Sequence, residues 1–326
     1  MAKAIRLHQA GNPDQMHWED IAMPTPKAGE VLLRQTAVGL NYIDIYHRSG
    51  LYPLSAYPAI LGLEACGEVE ALGDGVSNIA IGDRVAYGGG PMGAYAEYRT
   101  IPSQYCAKIP DAISNTQAAA SMVQGITAHF LVQRTVKLKA GDSCLIHAAA
   151  GGVGTLLCQW AKHMGVTVLG TVSSEEKAAH ASAHGCDHPI IYTQENVVDR
   201  VQSLTQGQGV NVVYDSVGKD TFMASLDCLR MFGTLVSFGQ ASGPVPPFDI
   251  SLLALKGSLY LCRPNYMNYT QDNVEYHRAI QAMFGLIEQG VLKVEIGQTY
   301  PLAQAAQAHR DLESRKTTGA TVLCIE

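Results

Sequence analysis

The chain of 326 residues carries 23 basic and 29 acidic side chains, which give a net charge of −6 at pH 7. This balance argues against nucleic acid or an anionic membrane surface as a partner. No apolar run is long enough to span a bilayer, and the first residues lack the apolar core of a signal peptide. Because domains usually hold about 100–200 residues, we expect two domains.

Eight cysteines are scattered along the chain without any C-x-x-C pair. In a chain of this length, the pattern predicts reduced, buried thiols rather than a disulfide framework or a zinc site. We therefore expect a cytoplasmic protein.

Residues 1–120 are predicted to form short β-strands separated by Gly and Pro turns, with little helix before Thr116. Within them, Val38–Pro53 concentrates ring and hydroxyl groups among few charges. This stretch predicts the wall of a binding pocket. The alternative is a solvated loop whose tyrosines pack at its edges. The predicted strands are Lys3–His8, Val31–Gly39, Ala65–Leu72, Arg84–Ala86 and Ala94–Thr100.

A helix is predicted over Ser114–Val136, followed by a Gly-rich turn within Ser143–Gly154. Against the G-x-G-x-x-G pattern the turn has Ala149, Gly151 and Gly154, so its first position is alanine. An apolar run, a Gly-rich turn, a helix and a second apolar run form the βαβ unit that binds a dinucleotide pyrophosphate. The alternative is a purely structural turn.

Strands and helices then alternate regularly up to a last apolar run at Gly257–Cys262, which predicts a six-stranded, doubly wound parallel sheet. The first helix after the second strand opens at Ser173, where Ser173 and Glu176 are expected to form a capping box. Later segments include amphipathic helices over Asn273–Glu288 and Leu302–Glu313 and a final strand over Ala320–Ile325. They are too few to fold alone, so we expect them to complete the first domain.

The end of the second strand of the sheet predicts the cofactor. NAD enzymes of this fold usually place Asp or Glu there, to bind the ribose hydroxyls. Here Ser173 and Ser174 occupy that place, and Lys177 follows one helical turn later. These groups favour the 2′-phosphate of NADPH, which a carboxylate would repel. The alternatives are that Lys177 is an ordinary solvated lysine and that Glu175 binds NAD in a shifted position.

Several stretches together resemble the zinc-free quinone oxidoreductases, the zeta-crystallin-like branch of the medium-chain dehydrogenase/reductases, over essentially the whole length. The resemblance implies a discontinuous β-rich GroES-like catalytic domain, residues 1–125 and 264–326, and a Rossmann domain, residues 126–263. The stretches that carry it are NYIDIYHRSGLYP (41–53), HAAAGGVG (147–154), VVYDSVG (212–218), VSFG (236–239), KGSLYLCRP (256–264) and LESRKTTG (312–319).

The resemblance also implies which residues bind the cofactor. Those expected at the nicotinamide and its ribose are Asn41, Tyr42, Tyr46 and Thr127. Those expected along the Gly-rich turn are Gly151, Gly152 and Val153, and those at the 2′-phosphate end are Ser173, Lys177 and Tyr192. The remaining positions are Ser216, Phe238, Gly239, Ala241, Arg263, Pro264, Asn265 and Arg315.

Zinc dehydrogenases of the same superfamily hold a catalytic metal with Cys and His. At the matching positions this chain has Asn41 and Leu63, and Leu has no lone pair for Zn²⁺. We therefore expect no metal. Glu64 keeps the acid of the superfamily motif, and its role stays open.

The resemblance implies NADPH-dependent reduction of a quinone by hydride transfer from nicotinamide C4 in the cleft between the domains. Tyr46, Tyr52 and Arg263 are the candidate catalytic donors to the developing oxyanion. An alternative is reduction of α,β-unsaturated carbonyls such as enones and alkenals. RNA binding or a structural role is disfavoured by the acidic balance.

The run Gly257–Cys262 is short, apolar and last in the predicted sheet, so we expect it at an edge. Pairing with its symmetry mate would cover that edge in a homodimer. Alternatively, the helix that begins at Asn273 covers it within one subunit.

Overall fold

A computed structural model describes residues 1–325, which form two compact units. The first unit comprises Met1–Ile126, Thr270–Glu288 and the chain from Val294 onward. The second comprises Thr127–Tyr269 and Gln289–Lys293. In this part of the chain, each helix is too short or too polar to cross a membrane.

The strands and helices are numbered separately along the chain. The strands are β1 Ala2–Leu7, β2 Met16–Ile21, β3 Glu30–Leu40, β4 Ala59–Ile60, β5 Ala65–Leu72, β6 Arg84–Tyr87, β7 Tyr98–Pro102, β8 Ala107–Lys108, β9 Ser143–Ile146, β10 Thr167–Val172, β11 His188–Ile191, β12 Val210–Asp215, β13 Leu229–Ser237, β14 Tyr260–Cys262, β15 Ile296–Pro301 and β16 Ala320–Cys324. The helices are α1 Tyr42–Ser49, α2 Asn115–Phe130, α3 Gly152–His163, α4 Glu175–Ala183, α5 Val197–Leu204, α6 Phe222–Asp227, α7 Ser251–Leu255, α8 Tyr266–Thr270, α9 Asn273–Glu288 and α10 Ala305–Glu313.

The first unit is organised around its longest strand, β3. The larger sheet has the strand order β15-β16-β3-β5-β6-β8, and β7 also pairs with β3. A smaller sheet has the order β2-β1-β4. Residues of β3 alternate between buried and half-buried as far as Ala37, so that one face of the strand lines a core with Val31, Leu33 and Tyr87.

The C-terminal segments complete this unit, as the sequence predicts. Strand β16 pairs antiparallel with β3, with Thr321 opposite Leu40. On α9, the buried Tyr276 hydroxyl accepts a hydrogen bond from Gly88 N at 2.9 Å and donates one to Tyr105 O at 3.0 Å. The β-rich unit is therefore discontinuous in sequence.

The second unit contains the predicted six-stranded sheet. Its order is β11-β10-β9-β12-β13-β14, and all neighbouring strands are parallel. This is the strand order of a dinucleotide-binding fold. The central strand β12 is nearly all buried, and Val212, Val213 and Tyr214 are inaccessible to solvent, as expected for a parallel sheet covered on both faces. The predicted fold class is confirmed.

Several local predictions are wrong or incomplete, and the strand predicted over Ala94–Thr100 lies at Tyr98–Pro102. The stretch over Val38–Pro53 contains helix α1 rather than loop alone, and strands β2 and β15 were not predicted. The cap of α4 is Ser174, whose Oγ accepts a hydrogen bond from Lys177 N at 3.3 Å, instead of Ser173 with Glu176. The two serines are adjacent in the sequence, and serine favours the N-cap position.

The last strand of the sheet is shorter than predicted. Strand β14 covers only Tyr260–Cys262, because the backbone at Gly257 and Ser258 has φ angles of 118° and 55° and is not extended. Leu259 is 6% exposed and belongs to the core, whereas Tyr260 is 61% exposed and Leu261 is 38% exposed. The edge position of this strand is as predicted.

Replacing Tyr276→Phe is expected to lower the free energy of unfolding by about 1–3 kcal/mol, because both hydrogen bonds of a buried hydroxyl are lost. The matched control is Tyr57→Phe, which removes a hydroxyl from an exposed tyrosine and should change stability by less than about 0.5 kcal/mol. Urea unfolding of the two variants measures the difference. Equal losses would contradict the role of Tyr276 in joining α9 to the first sheet.

Candidate functional site

Helix α1 and the turn after it bring together three tyrosines that lie close in the sequence. The ring centroids of Tyr42 and Tyr46 lie 5.8 Å apart, and those of Tyr46 and Tyr52 lie 5.1 Å apart. Gly50 ends the helix with a left-handed φ of 85°, and Tyr52 N then donates to Tyr46 O at 2.9 Å. The turn thus returns Tyr52 to the helix, and the buried Tyr46 ring lies between the rings of Tyr42 and Tyr52 in the series of ring contacts.

Asn41, directly before α1, is oriented by a buried carboxyl group. Its Nδ2 donates to Glu64 Oε1 at 2.5 Å, and its Oδ1 accepts from Gln124 Nε2 at 3.5 Å. The other Glu64 oxygen accepts from Val123 N, also at 2.5 Å. Burial raises the pKa of Glu64 to about 8, although these hydrogen bonds oppose the shift. Glu64 therefore joins the start of α1 to α2.

A second buried polar chain supports α1 from its other side. Asp44 accepts hydrogen bonds from Asn41 N at 2.9 Å and from the Tyr95 hydroxyl at 3.1 Å, and burial raises the pKa of Asp44 to about 7. The Tyr95 oxygen lies 3.0 Å from His309 Nε2, and burial lowers the pKa of His309 to about 3. Because Tyr95 donates to Asp44, the neutral His309 ring donates to Tyr95.

The residues of the predicted catalytic-metal positions do not resemble a zinc site. Asn41 donates its amide hydrogen to Glu64, and the side chain of Leu63 is buried in the apolar core. Within residues 1–325, the His, Cys, Asp and Glu side chains form no cluster of three that could hold a metal ion.

In the second unit, the Gly-rich turn packs tightly against the start of α3. Gly151 is the N-cap residue of the helix, and Ala148 has a left-handed φ of 54°. A Cβ on Gly154 would lie 2.2 Å from Ala148 O, so only glycine fits there. The first turn of α3, with Gly152 and Val153, presents backbone N–H groups at the carboxyl edge of the sheet, which suits a pyrophosphate.

The ends of β10 and β11 bring together the residues predicted for the 2′-phosphate. Tyr192 N donates to Val172 O at 3.1 Å, and Thr193 Oγ1 donates to Ser173 O at 3.1 Å. The side chain of Tyr192 is 42% exposed. No acidic residue follows β10 until Glu175, the first residue of α4. This edge fits an adenosine 2′-phosphate better than a free ribose hydroxyl.

The loops after β12, β13 and β14 hold most of the remaining predicted residues. Ala241 N donates to Ser216 O at 3.1 Å, and a Cβ on Gly239 would lie 2.4 Å from the same oxygen. Arg263 Nη1 donates to Ser237 O at 2.8 Å. Phe238 follows directly after β13, and Pro264 and Asn265 follow Arg263 after β14. These residues share one edge of the sheet.

Two further predicted residues lie outside the loops at the carboxyl edge of the sheet. Thr127 is buried on α2, one helical turn after Val123. Arg315 follows α10 in the first unit, and its charge lowers the pKa of Tyr42, which burial and the Glu313 carboxylate raise. Arg315 is therefore close to the tyrosines of α1.

Sequence reasoning missed the supporting residues. It left the role of Glu64 open and did not single out Gln124, Tyr95 or His309. An acid within the apolar run Ile60–Cys66 was the signal for Glu64, because an acid in such a run is expected to be buried and paired.

The contribution of Glu64 to stability should fall as pH rises from about 4.5 to about 8, because folded Glu64 still binds a proton that the unfolded chain has released. Glu64→Gln should make this slope shallower, by up to about 1.4 kcal/mol per pH unit. Glu68→Gln, at an exposed acid paired with Arg34, should leave it unchanged. Urea unfolding across this pH range measures the slope. A slope that Glu64→Gln does not alter would show that Glu64 is ionised in the folded protein.

Known proteins match both parts of the chain. Residues 27–111 match the family model of the alcohol dehydrogenase GroES-like domain, and residues 184–323 match that of the zinc-binding dehydrogenases. A quinone oxidoreductase of Pseudomonas aeruginosa is 48% identical over 323 residues, which cover 99% of both chains. A 2-haloacrylate reductase of a Burkholderia species is 41% identical, also with 99% of both chains covered.

A solved structure agrees with these matches. The crystal structure of Escherichia coli quinone oxidoreductase complexed with NADPH is 42% identical and has a TM-score of 0.97. The alignment covers 99% of this chain and 100% of that chain. With such identities over the whole length, the chain belongs to the quinone oxidoreductase family of the medium-chain dehydrogenase/reductases.

Proposed function

We propose that the protein reduces quinones with NADPH and without zinc. The observation that carries the proposal is the carboxyl edge of the six-stranded sheet, where Ser173, Lys177 and Tyr192 follow two strands and no acid follows β10 before Glu175. The E. coli relative that was crystallised with NADPH supports the same cofactor. When bound, NADPH supplies the hydride.

The roles of the binding residues follow from where their elements end. The first turn of α3, from Gly151 to Val153, binds the pyrophosphate through backbone N–H groups. Ser173, Lys177 and Tyr192 bind the 2′-phosphate. In the second unit we assign to the cofactor Thr127 and the loop positions Ser216, Phe238, Gly239, Ala241, Pro264 and Asn265. In the first unit we assign to it Asn41, Tyr42, Tyr46 and Arg315.

Aromatic rings and hydrogen-bond donors hold the quinone that accepts the hydride. Tyr46 and Tyr52 offer rings in contact with each other and hydroxyl groups that donate to a quinone oxygen as it gains negative charge. In the second unit, Arg263 supplies a fixed positive charge at the carboxyl edge of the sheet, and we keep it as a candidate donor. A reduced quinone spreads its charge over the ring, so it needs a dedicated acid less than an alkoxide does.

Steady-state oxidation of NADPH, measured with matched panels of quinones and of enones and 2-haloacrylates, tests the proposal. We expect kcat/KM to be highest for quinones, and dialysis against a chelator to leave it unchanged. The 2-haloacrylate reductase among the relatives makes unsaturated acids the necessary comparison. Faster turnover of these acids, or activity that is lost with the metal, would contradict the proposal.

Lys177→Ala should weaken NADPH binding roughly ten- to a hundredfold, because a charge-assisted contact is worth about 1.5–3 kcal/mol. NADH lacks the 2′-phosphate, so its affinity should change little. The control is Lys139→Ala, which removes the same charge before the start of β9, at the opposite edge of the sheet. Fluorescence titration measures both cofactors. Equal losses for NADPH and NADH would remove Lys177 from the phosphate site.

We also propose a cytoplasmic homodimer that pairs through the edge strand β14. The eight cysteines are all free thiols, which fits a reducing compartment. Exposed apolar side chains gather at the edge, where Phe232 N donates to Gly257 O at 2.9 Å. The exposed apolar side chains around this edge strand are Met231, Phe232, Leu255, Tyr260 and Leu261. An apolar edge of this kind is usually covered by another chain.

Leu261→Lys should convert the dimer to a monomer, because a lysine on an edge strand opposes pairing with a second edge. Leu261 is partly exposed, so the variant should still fold, whereas a change at the buried Leu259 would test the core instead. The control is Val274→Lys, at an exposed valine on α9. Sedimentation velocity at micromolar concentration measures the assembly. A wild-type monomer, or a Leu261→Lys dimer, would contradict the proposal.

A further inference from the structure

A chain of buried polar side chains joins the ends of three neighbouring strands in the second unit. His147, directly after β9, has Nδ1 3.0 Å from Thr171 Oγ1 on β10 and Nε2 3.0 Å from Ser225 Oγ on α6. Ser225 Oγ in turn donates to Oδ2 of Asp215, the last residue of β12, at 3.0 Å. All four side chains are buried.

The direction of each hydrogen bond follows from Asp215. Its carboxylate accepts from Val217 N at 2.8 Å, from Gly218 N at 3.0 Å and from the Thr221 hydroxyl at 2.8 Å, as well as from Ser225. So many donors require an ionised acceptor, and the single hydroxyl hydrogen of Ser225 is therefore used on Asp215. Ser225 Oγ can then only accept from the histidine, so His147 Nε2 carries a hydrogen.

The other ring nitrogen of His147, Nδ1, completes the series of hydrogen bonds. Burial lowers the pKa of His147, although the Asp215 carboxylate opposes this shift. A neutral ring with hydrogen on Nε2 has a lone pair on Nδ1, which accepts from the Thr171 hydroxyl. The Thr171 oxygen also accepts from Ala148 N at 3.3 Å. The hydrogen bonds thus run in one direction, from Thr171 through His147 and Ser225 to Asp215.

The two ends of this chain hold the two loops of the cofactor edge. Thr171 fixes the backbone at Ala148, where the Gly-rich turn begins, through Ala148 N and through its own carbonyl, which accepts from Ala149 N at 3.1 Å. Asp215 fixes the loop that begins at Ser216. The Ser216 hydroxyl also donates to His147 O at 3.5 Å. A change at the histidine would therefore move both loops together.

We infer that His147 is a positioning residue of the dinucleotide site, a neutral Nε2–H imidazole that sets the Gly-rich turn and the Ser216 loop at a fixed separation. The inference rests on the proposed function, since it assumes that a dinucleotide binds at this edge. His147 is 3% exposed and both ring nitrogens are engaged, so it acts through the backbone of the loops and touches no substrate.

The test uses hydroxyl changes that keep the side-chain volume. Thr171→Val removes the donor to His147 and should raise the Kd for NADPH at least tenfold, and Thr171→Ser should restore it to within about threefold of wild type. Ser225→Ala should act like Thr171→Val. Tyr214→Phe is the control. It deletes a buried hydroxyl on β12 that donates to Leu131 O and takes no part in the hydrogen bonds from Thr171 to Asp215. It should leave the Kd unchanged.

A spectroscopic measurement separates this role from ordinary stabilisation. Nitrogen-15 NMR of the wild-type protein at neutral pH should show one imidazole, absent in His147→Gln, with hydrogen on Nε2 and none on Nδ1. Hydrogen on Nδ1, a charged ring, or an unchanged Kd in both Thr171→Val and Ser225→Ala would overturn the inference. A wild-type protein that shows this imidazole but binds no dinucleotide would instead contradict the proposed function.

Discussion

A parallel sheet ends all its strands at one edge, and this constraint places most of the candidate site. Strands β9 to β14 are parallel neighbours, so the Gly-rich turn, Ser173, Ser216, Gly239 and Arg263 follow their strands at the same edge. The close approach of Gly154 to Ala148 O then brings the first turn of α3 to that edge. Both effects can be predicted from the sequence, because alternating strands and helices indicate a parallel sheet and each of these residues directly follows its strand or turn.

For this reason the second unit could be predicted well and the first less well. Alternating apolar runs and turns marked the six strands and their order of appearance. Helix α1 was missed because its eight residues include two tyrosines and two isoleucines, which favour strands. The start of α1 depends on the hydrogen bond from Asn41 N to the Asp44 carboxylate. The presence of Asn41 and Asp44 in the sequence does not by itself indicate that this bond forms.

Buried polar groups are the part of the site that a single sequence conceals. Glu64, Asp44 and His309 form hydrogen bonds with residues that are distant in the sequence. The parallel pairing of β15 with β16 is likewise not visible in the sequence of either strand. Periodicity predicts that such positions are buried, but it does not say which donor faces which acceptor. The pairing arises only when the fold is complete, and so the role of Glu64 could not be assigned from its neighbours.

The same arrangement of hydrogen bonds satisfies buried polar groups in both units. In each, a neutral histidine donates from Nε2 to a hydroxyl group, and that hydroxyl donates to a buried aspartate: His309 through Tyr95 to Asp44, and His147 through Ser225 to Asp215. A neutral imidazole provides one donor and one acceptor without the desolvation penalty of a charge.

The two aspartates, Asp215 and Asp44, differ in how many hydrogen-bond donors they receive. Asp215 accepts from two backbone N–H groups and two hydroxyls, whereas Asp44 accepts from one of each, and within residues 1–325 its Oδ1 has no hydrogen-bond partner. Asp44 is therefore the carboxylate that burial destabilises, and its pKa is raised to about 7 for that reason.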